Sequence, residues 1–397
     1  MDGEARLASS NGPLKTPPTV GVGLIGYAFM GRAHSHAFKA IQYMMWPPPA
    51  VADLVSICGR NQDAVQEARS RYGYKRWTTS WQELVDDPEV QVVDNSTPNN
   101  LHLEPCLAAA AAGKDIICEK PLGRDADESR AMLEAVERAG VTHMCAFNYR
   151  FIPALQLARR LIQDGRLGQI YHFRASYQQS GRVDPNSPMT WRFRRDTAGF
   201  GALGDLGSHS VDQARWLIGE IGSVSGLTKT FIPDRPVEAG SDRREPVTVD
   251  DAALALLEFQ DGPIGTLEVT RCATGRKNYH LIEVNGSLGS LHFNCERLNE
   301  LRFFSREDPP EIQGFHDVLV TERAHPYGTV WWPPGHILGW EHTFMHEMHH
   351  FLTAVAGGGS VEPLGATFRD GYRNSVVLDG LAESSRTGRK VDLTYAS

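Results

Sequence analysis

Asp205 and His209 stand one helical turn apart in the glycine-rich segment 199–209, directly ahead of an apolar-periodic run. Positions i and i+4 share one face of a helix, so the spacing predicts contact between the carboxylate and the imidazole. A carboxylate in that position orients the ring and raises its basicity, which suits a base that accepts a hydroxyl proton near neutral pH. By itself this spacing more often marks a helix-surface pair, so its meaning depends on the rest of the chain.

A glycine-rich turn near residue 26 can be placed in two overlapping registers. Residues 21–26 match G-x-G-x-x-G literally, whereas residues 26–31 carry Ala28 at the middle position. The motif binds a dinucleotide pyrophosphate only where a buried strand enters the turn and a helix leaves it; otherwise it is an ordinary strand-turn-helix. Pro17 and Pro18 cannot belong to a central strand ahead of the first register. The second register is therefore predicted, and its other cofactor-binding residues are Gly26, Phe29, Met30 and Gly31.

Two polar segments follow apolar stretches that are typical of buried parallel strands. Ser96-Thr97-Pro98-Asn99 comes after one stretch, and Glu119-Lys120-Pro121 comes after the next. The carboxyl ends of parallel strands meet at one edge of a sheet, where such folds bind ligands. Proline after Lys120 disfavours helical backbone at the lysine and fixes the exit of the strand. We expect the cofactor along this edge, in contact with Thr97, Pro98, Asn99, His102, Glu119 and Lys120.

The order of elements predicts two α/β units. Up to about residue 150, short apolar strands alternate with helices, which indicates a Rossmann domain, a doubly wound parallel sheet with right-handed crossovers, over residues 19–150. Beyond it, alternating stretches with hairpin-like gaps such as Gln260-Asp261-Gly262 predict an α+β domain on a large, mostly antiparallel open sheet, residues 151–397. Residues 1–18 are polar and lack an apolar core, so we expect a flexible arm and no cleavable signal.

Together, in this order and spacing, the three motifs resemble the glucose-fructose oxidoreductase, inositol dehydrogenase and rhizopine catabolism (Gfo/Idh/MocA) family, over about residues 20–380. The resemblance implies oxidation of a secondary hydroxyl of a sugar, cyclitol or glycoside, with hydride passing to NAD or NADP. It implies a homo-oligomer that associates through an open sheet face. It also implies that Lys120 reaches the reacting centre.

Family members divide the base role between lysine and histidine. We assign it to His209, oriented by Asp205, while Lys120 stabilises the developing alkoxide. The alternative is a non-catalytic nucleotide-binding regulator on the same scaffold. The presence of Lys120, Asp205 and His209 together argues against that alternative.

The end of the second strand departs from the common dinucleotide pattern. A site that prefers NAD usually has a carboxylate there for the adenosine ribose. This chain instead has Gly59-Arg60-Asn61. Arg60 suits a 2′-phosphate and favours NADP, while Asn61 can still bind a ribose hydroxyl, so both cofactors stay open.

Aromatic and polar residues in two turn-rich loops and after the last Rossmann strand are candidates for a sugar pocket. Exposed aromatic faces bind the apolar faces of sugars, and convergent polar groups recognise hydroxyls. Both loops look similar to segments of family members that oxidise levoglucosan or glycosides. Core packing is the alternative for each tryptophan. The candidates, with Lys120, Asp205 and His209, are Tyr149, Arg150, Trp191, Arg192, Trp331 and His336.

One segment of the chain matches a zinc-binding motif. His346-Glu347-Met348-His349-His350 matches H-E-x-x-H on a predicted helix. A catalytic zinc needs a third protein ligand and an open position, and the rest of the chain is that of a nucleotide-binding enzyme. We expect no metal, and we place His346, Glu347 and His350 away from the buried stripe of that helix.

Composition agrees with this interpretation. The 397 residues carry a formal net charge of -8, which argues against a nucleic-acid partner. No apolar run approaches the roughly 18 residues of a membrane span, so we expect no membrane association. Six cysteines without C-x-x-C spacing favour reduced thiols in a cytoplasmic protein.

Overall fold

The computed structural model describes residues 16–395. Most of the predicted N-terminal arm, residues 1–15, lies outside the described residues. No helix within the described range is long and apolar enough to cross a membrane.

The first sheet has six parallel strands in the order β3-β2-β1-β4-β5-β6. The strand order reverses between β1 and β4, which creates the crevice where doubly wound folds bind nucleotides. The strands are β1 Thr19–Ile25, β2 Val51–Cys58, β3 Arg76–Thr78, β4 Val92–Asn95, β5 Asp115–Glu119 and β6 His143–Ala146. Their connecting helices are α1 Phe29–Met44, α2 Gln62–Tyr72, α3 Trp81–Asp86, α4 Leu103–Ala111 and α5 Ala126–Ala139. The predicted Rossmann alternation is confirmed.

The second sheet has nine strands in the order β16-β15-β14-β13-β7-β12-β11-β8-β17. All neighbours are antiparallel except β7 and β12, which run parallel. The strands are β7 Ile170–Gln178, β8 Ile221–Lys229, β11 Ala252–Phe259, β12 Ile264–Thr270, β13 Tyr279–Gly286, β14 Gly289–Asn294, β15 Glu300–Ser305, β16 His316–Leu319 and β17 Val391–Asp392. A separate two-stranded ribbon joins β9 Asp234–Pro236 to β10 Arg244–Pro246. The α+β prediction is confirmed.

Five further α-helices within residues 16–395 follow β6 along the chain. They are α6 Pro153–Gln163, α7 Arg195–Ala198, α8 Ser208–Leu217, α9 Glu341–Gly357 and α10 Phe368–Thr387. Helix α10 begins with a capping box at Thr367, whose hydroxyl accepts a hydrogen bond from the Asp370 backbone.

Helix α9 packs on the Rossmann sheet rather than on the second one. Phe344, Met348 and Phe351 are buried in one cluster with Phe38 and Ile41 of α1. The core of the first sheet therefore includes side chains from a helix near the C-terminal end of the described residues.

Candidate functional site

A cavity of about 820 Å³ lies where the carboxyl ends of the Rossmann strands face the second sheet. Segments from both halves of the chain line it. From the Rossmann side come Ala28, Phe29, Met30, Thr97, Pro98, Asn99, Glu119 and Lys120. From the other side come Tyr177, Arg182, Trp191, Arg192, Asp205, His209, Arg271 and Lys277. Motifs that are far apart in sequence thus share one space.

The glycine turn adopts the second register, because β1 ends at Ile25 and α1 begins at Phe29. Gly26 has φ +97°, a conformation that side chains disfavour. A Cβ at Gly31 would lie 2.0 Å from the Gly26 carbonyl oxygen, so neither position tolerates a side chain. Gly26 and Gly31 shape the turn from beneath, and the exposed Phe29 stacks on Trp340 with ring centroids 5.4 Å apart.

Lys120 extends from the end of β5 to the second domain. Its Nζ donates to the Asp205 main-chain oxygen at 2.9 Å and lies 3.1 Å from Asp205 Oδ1. The other carboxylate oxygen, Oδ2, accepts from Arg271 at 3.0 Å. Burial opposes ionisation of Asp205, but Lys120 and Arg271 outweigh it and hold its pKa far below the ordinary value. Asp205 is therefore an ionised link between two cations.

The expected contact between Asp205 and His209 is wrong. Residues Leu203–Gly207 form a π-helical turn that leads into α8. Asp205 points instead to Lys120 and Arg271.

His209 is held by aromatic packing. Its ring stacks on Tyr149 at 4.4 Å, and Nδ1 is buried without a hydrogen-bond partner. Burial, then the nearby Lys120 and His280, lower the pKa of His209 well below 6.5. The imidazole is therefore neutral near pH 7, which leaves one ring nitrogen without a proton.

A buried cluster that the sequence did not reveal lies behind Glu119. His34 Nδ1 lies 3.0 Å from both carboxylate oxygens of Asp94, and its Nε2 lies 3.2 Å from Glu119 Oε1. Burial disfavours the imidazolium, but Asp94 and Glu119 outweigh it and raise the pKa of His34 well above 6.5. Glu119 is thereby held against the wall of the cavity.

Two of the residues predicted at the cofactor edge form hydrogen bonds with the main chain of other segments. Asn99 Nδ2 donates to the Ala198 carbonyl at 2.9 Å, which ties the Rossmann edge to the second domain. His102 is fully buried, and its ring nitrogens face the main-chain oxygens of Thr97 and Leu122. The expectation that His102 contacts the cofactor is wrong, because it holds two loops together beneath the cavity.

Arg60 and Asn61 follow β2, as expected. Arg60 is exposed. Asn61 caps α2, since its side-chain oxygen accepts from the Ala64 backbone at 3.0 Å. The side-chain amide of Asn61 remains available to a ribose hydroxyl.

Three of the expected sugar-pocket residues lie outside the cavity. Arg150 is buried in an ion pair with Asp212, N to O 2.6 Å, and does not reach the site. Trp331 Nε1 donates to His346 Nε2 at 2.6 Å, which turns that indole toward α9. His336 is exposed on its loop. Tyr149, Trp191 and Arg192 do line the cavity, and Trp340 lines it where Trp331 was expected.

The histidines of the zinc motif have protein partners. His346 accepts from Trp331 through Nε2, and its Nδ1 lies 3.0 Å from the Phe151 carbonyl oxygen. His350 Nε2 lies 2.7 Å from the Val361 carbonyl oxygen. His346 and Glu347 are fully buried, so their expected position away from the buried stripe is wrong. Within residues 16–395, no group of three or more potential ligands could hold a metal ion.

These features define a class of protein: a dinucleotide-dependent oxidoreductase with a lysine and a neutral histidine facing a shared cavity. Two family models match the chain. One, described as an oxidoreductase family with an NAD-binding Rossmann fold, matches residues 20–147. The other, a GFO/IDH/MocA C-terminal domain, matches residues 155–292. The chain belongs to the Gfo/Idh/MocA family and is an NAD(P)-dependent dehydrogenase that acts on CH-OH groups.

Individual relatives agree. The chain is 43% identical to a levoglucosan dehydrogenase of Pseudarthrobacter phenanthrenivorans, over 95% of this chain and 98% of the relative. It is 25% identical to an inositol 2-dehydrogenase of Rhizobium meliloti, over 94% of this chain and 99% of that one. A solved structure of levoglucosan dehydrogenase with NADH matches with TM-score 0.92 at 43% identity, covering 95% of this chain and 100% of that chain.

Proposed function

We propose that this chain oxidises a secondary hydroxyl of a pyranose-type sugar with NAD, and that levoglucosan is the first substrate to test. The ion pair of Lys120 with Asp205 beside neutral His209 carries the proposal, because it places a fixed cation and a free base in one cavity. The 43% identity to a levoglucosan dehydrogenase along nearly the whole chain supports the choice of sugar.

In the proposed mechanism, His209 accepts the hydroxyl proton of the substrate. Lys120 stabilises the negative charge that develops on the same oxygen, and Asp205 keeps the ammonium in place. Nicotinamide, when bound, supplies the acceptor for the hydride. Stacking on Tyr149 orients the His209 ring, which takes over the positioning role first expected of Asp205.

The cofactor would sit along the edge from the Gly26 turn to Glu119. Gly26 and Gly31 leave the turn without side chains, and Ala28, Thr97 and Pro98 form the wall. We favour NAD over NADP because the relative of known structure binds NADH and because Asn61 can serve a ribose hydroxyl.

A substitution at Arg60 tests the choice of NAD over NADP. Arg60→Ala should leave NAD-linked turnover within about twofold, since an exposed side chain beside a neutral ribose contributes little. If Arg60 binds a 2′-phosphate, the change should instead weaken NADP alone by about 1.5–3 kcal/mol. Kinetics with each cofactor at a fixed sugar concentration distinguish the two.

We also propose a homo-oligomer in the cytoplasm. Leu227 and Leu254 are cross-strand partners on β8 and β11, and both are exposed, as are Leu256 and Ile264 on the same sheet. An exposed apolar face of this kind is typical of a subunit contact. All six cysteines are unpaired, which suits a reducing compartment. Light scattering of the wild type and of Leu256→Glu tests the contact.

The experiment for the whole proposal is a screen of purified protein against levoglucosan, hexoses, methyl glycosides and inositols, with NAD and NADP separately. NAD reduction with at least one sugar or cyclitol is expected. Tight NAD binding without turnover on any of them would contradict the assignment.

A further inference from the structure

The cavity carries more positive than negative charge. Its lysine and arginine side chains are Lys120, Arg182, Arg192, Arg271 and Lys277, and its carboxylates are Glu119 and Asp205. Asp205 is shared by Lys120 and Arg271, and Glu119 is held by His34. Both carboxylates are therefore already engaged by other cations.

Arg182, Arg192 and Lys277 remain without a carboxylate partner. The Arg182 guanidinium contacts only the ring of Phe193, 5.5 Å from its centroid, and Arg192 lies over Trp191 at 4.4 Å. Glu296 is close to Lys277, but it accepts from the backbone N–H of that residue, and no bond joins it to the ammonium. Within residues 16–395, no side-chain hydrogen bond or ion pair engages these three cationic groups, although the charge of Asp205 acts on Arg182 and Arg192 through space.

The topology brings these side chains together. Strands β7 and β12 are parallel neighbours, so the segments that follow them leave the sheet at the same edge. Arg182 follows β7, and Arg271 and Lys277 follow β12; the Arg182 backbone N–H donates to the Arg271 carbonyl at 3.2 Å. Burial, then Arg271 and Arg192, lower the pKa of Arg182, which reflects cations crowded on one another.

Arg182 and Arg192 are half-buried and Lys277 is exposed, so all three can present their donors to a ligand in the cavity. Guanidinium groups suit carboxylate and phosphate because their planar donors match two oxygens at once. The Rossmann turn, which serves the cofactor phosphates, belongs to the opposite wall.

We propose that the preferred substrate is a sugar that carries an anionic group, a carboxylate or a phosphate, bound by Arg182, Arg192 and Lys277. The inference rests on the proposed sugar dehydrogenase function and names the substrate class of that same site. The anionic group is bound away from the reacting hydroxyl, so Lys120 and His209 keep their roles.

The test compares sugars that differ in one group. Methyl glucoside and methyl glucuronide differ by a hydroxymethyl against a carboxylate, and glucose and glucose phosphorylated on its primary hydroxyl test phosphate; levoglucosan is a further neutral sugar. We expect kcat/KM with NAD to be at least about 10-fold higher for a carboxylate or phosphate sugar than for its neutral partner. The pair of sugars that shows the preference tells whether the bound group is a carboxylate or a phosphate.

Variants assign the preference to these side chains. Arg182→Gln and Lys277→Gln should each lower the anionic-to-neutral ratio of kcat/KM about 5-fold or more. Arg276→Gln is the matched control, because Arg276 is exposed and packs on Tyr279 outside the cavity. Raising the salt concentration should reduce the ratio in the wild type and have less effect in the variants.

The outcomes separate the two proposals. Oxidation of neutral sugars with no preference for any anionic sugar overturns the substrate class and leaves the dehydrogenase function standing. A preference that survives both variants, or a loss of NAD affinity in them without a change of ratio, also overturns it. Turnover of no sugar at all removes the proposed function itself.

Discussion

Asp205 joins Lys120 across the two halves of the molecule, with its carboxylate 3.1 Å and its main-chain oxygen 2.9 Å from the same ammonium. The lysine belongs to the Rossmann sheet and the aspartate to the π-helical turn before α8. The proposed electrostatic group of the site is therefore positioned by contacts that exist only when both sheets are packed together.

Asp205→Asn should reduce turnover about as much as Lys120→Ala does. The amide leaves Lys120 and the buried Arg271 without their shared negative charge, so the ammonium is no longer fixed toward substrate. Loss of a charge-assisted contact also lowers the free energy of unfolding by about 1.5–3 kcal/mol. Turnover on the best sugar and urea unfolding measure both effects. If Asp205 only oriented His209, Asp205→Asn would lose much less turnover than His209→Ala, which would contradict this prediction.

His209→Ala should lower kcat by about 10²–10⁴-fold while NAD affinity stays near that of the wild type. The depressed pKa of His209 fixes the sign of the pH dependence. The base is already neutral at pH 6.5 and loses this form only as the pH falls further, so the acid limb lies below the range of a free histidine. His336→Ala, on an exposed loop, is the control. Unchanged pH profiles in His209→Ala would contradict the role.

Gly26→Val should abolish NAD binding. A β-branched side chain at φ +97° is strained by about 1–3 kcal/mol, and its Cβ would lie 2.9 Å from the Ser96 carbonyl oxygen. Gly357→Ala is a suitable control because no atom lies within 4 Å of the added Cβ. Gly21→Ala is unsuitable, since its Cβ would lie 1.8 Å from the Glu89 carbonyl oxygen inside the sheet. Titration calorimetry with NAD, together with a melting curve for each variant, gives the answer.

His280 predicts a loss of stability in acid. Burial lowers its pKa from 6.5 to about 3, so below pH 6.5 the unfolded chain binds a proton that the folded chain does not. Stability is complete above pH 6.5 and falls by about 1.4 kcal/mol for each further unit of pH from this residue. In His280→Gln, the free energy of unfolding should fall less between about pH 6 and pH 4, while exposed His336→Gln should follow the wild type. If the free energy of unfolding falls with pH equally steeply in all three proteins, His280 does not cause the loss of stability.

The sequence was sufficient for the Rossmann alternation, because the buried strands are short apolar runs and helices α2, α3 and α5 begin at a side-chain cap, such as Asn61. It was not sufficient for β3, whose three residues at the sheet edge carry no periodic pattern. Lys120 and His209 could be placed in the site by their motifs. Arg182 and Arg271 could not, because a single arginine after a strand has no signature; only the parallel pairing of β7 with β12 brings them together. The partner of Asp205 was mistaken because the two cations that bind its carboxylate, Lys120 and Arg271, come from segments far away in the sequence.

Helix α9 closes the core of the Rossmann unit from a position more than 300 residues after β1. During synthesis, the face of α1 that carries Phe38 and Ile41 therefore leaves the ribosome long before Phe344 and Phe351 can cover it. The nascent N-terminal half therefore exposes an apolar surface, and such a surface favours chaperone binding and aggregation. Expression of residues 19–150 alone would consequently give a poorly soluble fragment, and adding residues 341–357 in trans should improve its yield.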